Sequence, residues 1–215
     1  HDALRMPYGQ VKIAWFGPVF TLIPNRLFQQ SAKAVYFRHL SSAVAKDDVL
    51  LENALKRLSA TGVFPINKGL DFLFSLHYPD SKLLHFSTAF IDGILSLPVS
   101  TNRPRLFVYV MDSFAMLTLL DGSQLKLHNY FNLTGENDLL YYCLLVMKQF
   151  GLNPDSDPVY LAGQIDADKP AFSLLAAYIS GLHFINHRFS ATFGPKGIGL
   201  PVPLLFDLLC VAQEA

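Results

Sequence analysis

The chain has 215 residues and 24.0 kDa, with 51% apolar and 13% aromatic side chains, enough to bury a core in one large domain or two small ones and too many for a disordered segment. Seventeen basic residues balance seventeen acidic ones, so no overall field draws it to nucleic acid or to an anionic membrane surface. Cys143 and Cys210 are too few and too far apart for a disulfide framework or a metal site of known spacing, and no apolar run reaches the roughly 18 residues a membrane span needs. Both cysteines have apolar neighbours and read as buried thiols, which fits a reducing, cytoplasmic compartment.

In chain order, residues 3–8 read as the tail of a helix running into a strand over 11–16, an abrupt start that places an earlier part of the domain ahead of His1. After the turn pair Gly17-Pro18, an apolar run stops at Pro24 and a short helix follows with Asn25 near its cap. Residues 34–40 read as a strand, and 48–55 fit strand or helix alike, because so short an apolar run carries no decisive period. A strand over 63–66 contains Pro65, which points to a sheet edge. Asn67 caps a helix over 68–77, whose Leu70, Leu73, Phe74 and His77 share one face. A strand over 83–86 and a helix through Leu95 complete this part.

The proline- and hydroxyl-rich stretch 97–104 is the expected boundary between domains 1–98 and 104–215. Beyond it lie strands over 105–111, 114–120 and 124–131, the last two joined at Asp121-Gly122, a strong hairpin signal. Thr134 to Asp138 supplies a cap and first-turn carboxylates for a long helix that Gly151 stops. Then come a strand over 159–162 ending at Gly163, a helix from Pro170 to Ser180 closed by Gly181, a strand over 182–186 and a C-terminal helix over 203–213. Three strands, then alternating helices and strands, make a mixed α/β sheet covered by helices, with right-handed crossovers. That is the core of the ribonuclease H-like and actin-like ATPase folds. Strand, helix, strand, helix recurs on both sides of the linker, so the expectation is a duplicated fold whose first copy is N-terminally incomplete.

The chain resembles an uncharacterised bacterial domain-of-unknown-function family, number three-eight-two-two in the usual series, with an actin-like ATPase fold. The resemblance lies in residues 20–28, in 63–66 with the helix after them, in Tyr130-Phe131 ahead of the helix containing Asp138 to Tyr142, and in 159–163. It spans nearly the whole chain and contains no catalytic motif. It implies a three-stranded segment and a helix ahead of His1, and a more distant likeness to the pilus-assembly and cell-division members of the superfamily.

Actin-like ATPases hold phosphates with two Asp-x-Gly hairpins, since glycine amides approach the phosphate oxygens while the carboxylate orients a hydrated magnesium ion. The second would fall at Asp112-Ser-Phe-Ala115, where the aspartate stands but Phe114 replaces the glycine. Read without the resemblance, Asp112 is a turn aspartate and Gly163 a strand-end turn. The glycine-rich run 194–199 with Lys196 lacks the strand-before, helix-after context of a phosphate loop and reads as a connection. Asp155, Asp157, Asp166 and Asp168 read as a solvated acidic edge around Gly163, and no histidine has metal-ligand spacing.

Two functional expectations follow. The preferred one is a non-catalytic or degenerate interaction and assembly module that requires no cofactor and meets a protein partner or further copies of itself. The other is a nucleotide-binding ATPase using ATP and magnesium, completed by the N-terminal segment, with Asp112 on the magnesium side and Gly163 near the nucleotide.

Overall fold

The computed structural model describes residues 8–37, 44–98, 103–187 and 201–213. By internal packing the chain divides between Asp92 and Gly93, and each unit is described by itself.

The first unit contains, in order, β1 (Lys12–Trp15), β2 (Thr21–Pro24), α1 (Lys33–Tyr36), β3 (Asp48–Leu55), β4 (Ala60–Asn67), α2 (Lys68–His77), β5 (Lys82–His85) and the larger part of α3 (Phe86–Leu95). β1 and β5 form a two-stranded parallel sheet, and β2-β4-β3 an antiparallel one around Ile23, Phe37 and Val63. The ambiguous stretch 48–55 is a strand, paired with β4 along its whole length from Asp48↔Asn67 to Leu55↔Ala60. β4 is the central strand, yet β2 reaches only to Val63, so Pro65 sits where β4 has a neighbour on one side alone.

Two local expectations are corrected here. Residues 34–40 do not open a strand; the part described forms the single helical turn α1. Its Tyr36 hydroxyl donates to the Leu27 carbonyl at 2.9 Å and accepts from the Gln29 N–H at 2.7 Å, folding the turn back on the chain before it. Asn25 begins a 3-10 turn without capping it, its side chain instead accepting from the Thr61 hydroxyl at 3.0 Å. The Asn67 cap is present, with Oδ1 accepting from the Gly69 N–H at 2.9 Å. On the face of α2 shared by Leu70, Leu73, Phe74 and His77, Leu70 and Phe74 are half-buried, Leu73 and His77 exposed.

The second unit carries β6 (Arg105–Val110), β7 (Phe114–Asp121), β8 (Gln124–Asn132), α4 (Asp138–Phe150), β9 (Val159–Gly163), α5 (Pro170–Ala176), β10 (Leu182–Phe184) and α6 (Val202–Gln213). Its sheet runs β10-β9-β6-β7-β8, with β10, β9 and β6 parallel and the two hairpins antiparallel. Gly122, at φ 59°, takes the first of two loop positions between β7 and β8, as a primed hairpin turn requires. The buried Arg105 guanidinium donates to its carbonyl at 2.7 Å. All six β6 residues are buried, the mark of a strand covered on both faces. Leu106, Val108 and Val110 share one face with Ala115, Leu117 and Leu119, and this face meets Cys143, Val146 and Met147 of α4 and Leu175 of α5. α6 lies against β9, and its Asp207 accepts a hydrogen bond from the buried Tyr109 of β6.

α4 is capped in a way the sequence reading did not foresee. Thr134 does not cap with its own oxygen; Asp138 Oδ2 reaches back to accept from the Thr134 N–H and hydroxyl and the Gly135 N–H at 2.7–2.9 Å. These bonds hold its carboxyl below the usual aspartate range. Gly151, at φ 69°, stops the helix as expected. α5 ends at Ala176, short of the expected Ser180, because the chain turns there to bury Ile179 and to bond the Ser180 N–H to the Pro154 carbonyl at 2.9 Å.

Candidate functional site: a cleft at the carboxyl ends of the parallel strands

β6, β9 and β10 run in one direction and end beside each other at Val110, Gly163 and Phe184. Ligands of open α/β sheets bind in the crevice outside such strand ends. A cavity of about 750 Å³ opens there. Its floor is apolar: Gly163, Ile165 and Val202 are buried and Phe184 half-buried. The rim is polar and exposed, carrying Asp112, Gln164, Asp166, Lys169 and Asn186.

Asp112 belongs to the turn between β6 and β7, closed by a bond from the Met111 N–H to the Phe114 carbonyl at 2.9 Å. Gly163 is at φ 89°, and a Cβ there would run into the carbonyl of Val110, whose oxygen accepts from the Gln164 N–H at 2.7 Å. Glycine is thus demanded by the close passage of β9 over the end of β6, before any ligand is considered. Asp166 Oδ1 accepts from the Asp168 N–H at 3.0 Å, which shapes the loop that leads to Lys169 and α5.

The structure brings Asp112 and Gly163 together on one cavity. It does not bring the four aspartates together. Asp166 lies on the rim, whereas Asp155 and Asp157 belong to the loop before Val159, at the other end of β9, where Asp157 Oδ2 accepts from the Asn153 N–H at 2.7 Å. Four residues of one sequence neighbourhood are parted because a strand carries the chain across the sheet between them. The run 194–199 lies outside the described residues. Sequence reading missed the wall formed by Val202, Pro203 and Leu204 at the start of α6. No local motif marks these residues; only the docking of α6 on the sheet puts them there.

The residues present fit part of a nucleotide. The apolar floor suits a flat ring, and Asp112 could hold a hydrated divalent cation. A polyphosphate fits poorly, because the turn at Asp112 contains no glycine and the rim sets two carboxylates against one ammonium. Among the described residues, no group of three His, Cys, Asp or Glu side chains is placed to hold a metal ion. Burial pushes the Cys143 thiol up to about 12, so it is no nucleophile.

Strand order, mixed pairing and a cleft at the parallel strand ends are those of an actin-like ATPase fold. Two solved structures bear this out. One, from Bacteroides thetaiotaomicron VPI-5482, is described as a protein with actin-like ATPase fold and unknown function; it superposes with a TM-score of 0.82 at 22% identity, over 100% of this chain and 77% of that one. The other is the PilM–PilN type IV pilus biogenesis complex, with a TM-score of 0.59 at 14% identity, over 97% of this chain and 81% of the other. The chain belongs to the family described as "Protein of unknown function (DUF3822)", which matches residues 1–182. No curated protein matches it. Among the described residues, no helix is long and apolar enough to cross a membrane.

Proposed function

We propose that the chain is a non-catalytic, degenerate actin-like protein that acts as a cytoplasmic interaction or assembly module. The observation that carries this reading is the turn at Asp112. It stands on the rim of the fold's cleft, where close backbone approach to phosphate calls for glycine, and it offers Ser113 and Phe114 instead. The PilM–PilN complex is a protein assembly of type IV pilus biogenesis, and an assembly role is what we carry from it to this chain. We further propose that the fold is duplicated, with halves 1–98 and 104–215, and that the first half is completed by strands and a helix ahead of His1. Among the described residues β1 and β5 pair only with each other, which supports this, since parallel strands are rarely stable as a pair.

A second reading, an ATPase that binds a magnesium–nucleotide complex, is favoured by the meeting of Asp112 and Gly163 on a cavity large enough for such a ligand. A thermal-shift titration of the full-length protein with magnesium–ATP separates the two. The module reading expects no shift in wild type and none in Asp112→Ala. Saturable stabilisation that Asp112→Ala abolishes establishes the second reading in its place.

A further inference from the structure

β8 is the outer strand of the second unit's sheet, and among the described residues it pairs with β7 alone. Long edges are usually blunted by lysine, proline or a bulge, because their outward backbone groups template further pairing. Here those devices sit at one end. The register slips where Leu119 pairs Leu127 and Leu120 pairs Leu125, and the bulged residue, Lys126, is the strand's one charge. The remainder, Leu127-His-Asn-Tyr-Phe131, is regular and uncharged, with Asn129 exposed and its neighbours half-buried.

We propose that this edge docks a second copy of the chain, the two β8 strands pairing antiparallel about a two-fold axis through Asn129. In that register Asn129 faces itself, His128 faces Tyr130, and Leu127 faces Phe131, each of the latter pairs occurring twice. Directly opposed residues share a face of the sheet, where aromatic rings pair favourably and Leu127 against Phe131 takes apolar surface out of water. Leu127 and Phe131 already lie against the core of their own unit, so their pairing continues that core across the axis. The rings of His128 and Tyr130, 5.7 Å apart on the opposite face, become a cluster of four. Lys126 falls opposite Asn132, so no like charges meet. Moving the axis one residue to His128 would set Leu127 against Asn129 and lose the match, which is why the strand selects one register. The Tyr130 N–H, now held by Asn129 Oδ1 at 2.9 Å, points away from β7 and is handed to the partner strand.

This inference rests on the module reading and gives the module its partner. The test uses the full chain. Asn129→Cys places two thiols across the axis at about 4.5–5.5 Å between Cα atoms, a separation that suits a disulfide. Gln124→Cys places them roughly 33 Å apart. The native thiols are buried. Under mild oxidation the first variant is expected to give a covalent dimer and the second none, while wild type sediments with a mass that rises from that of one chain towards double as concentration increases. Asn129→Lys sets like charges face to face and is expected to stay monomeric, melting where wild type melts at concentrations too low for its dimer to form; mixing it with Asn129→Asp restores the dimer. Equal cross-linking of the two cysteine variants, or a wild type that stays monomeric throughout, overturns the inference and leaves the module reading standing. Saturable stabilisation by magnesium–ATP overturns the module reading itself.

Discussion

His85 is fully buried between the rings of Phe20 and Phe64, at 4.5 and 5.0 Å. The Ser87 N–H donates to its Nδ1 at 3.1 Å, so the proton sits on Nε2 and is given to the Gly17 carbonyl, also at 3.1 Å. Burial outweighs that carbonyl and lowers the pKa from 6.5 to about 4. A group depressed on folding stabilises the native state above its unfolded pKa and loses that contribution as pH falls through the folded one. Unfolding free energy is therefore expected to drop by about 3 kcal/mol between pH 6.5 and 4. Denaturant titrations across that window should show the slope in wild type and its loss in His85→Gln; an equal slope in both would remove His85 as its source. Gly163 makes a different claim. Its positive φ and the Val110 carbonyl leave no room for a methyl group, so Gly163→Ala should cost about 2 kcal/mol or more whether or not the cleft holds a ligand. Chemical denaturation measures it, and an unchanged midpoint would mean that the strand ends can part. Both residues were visible in sequence, but neither reason was. The composition of the chain shows a histidine and a glycine; only the register of β6 against β9 shows why no other residue serves at position 163.

At the scale of elements, sequence reading succeeded where a signal is local. Asp121-Gly122 marked the hairpin, Gly151 the end of α4, and Asn67 the start of α2. Replacing Asn67 by alanine removes the acceptor for the Gly69 N–H and is expected to cost about 1 kcal/mol, read as a lower denaturation midpoint, whereas Asn67→Asp should retain most of it. No loss in the alanine variant would show that water caps the helix equally well. Reading failed where a tertiary contact decides. The aromatic and β-branched run Val35-Tyr36-Phe37 looks like a strand, yet the Tyr36 hydroxyl ties it into a helical turn. α2 shows the converse. Leu70 and Phe74 are half-buried but Leu73, on the same face, is 46% exposed, so its helical period was read correctly but did not say how much of the face would be covered.

For the whole molecule, a mixed sheet with crossovers could be read from the sequence, but the place of the cleft could not, because it follows from the order of the strands, which the pairing of β9 with β6 and β10 supplies. The contents of the cleft could be read only in part. Asp112 and Gly163, which line it, were singled out through the resemblance and not by their turns alone; the wall from α6 was not, since it is brought there across a distance no motif spans. What the cleft lacks carries as much as what it has, for the turn at Asp112 offers no glycine amides to a phosphate chain. Isothermal calorimetry of the full-length protein titrated with magnesium–ATP is the most direct trial of this account. It predicts no heat beyond dilution, in wild type and in Asp112→Ala alike; a saturable one-to-one isotherm in wild type, absent from the variant, would contradict it.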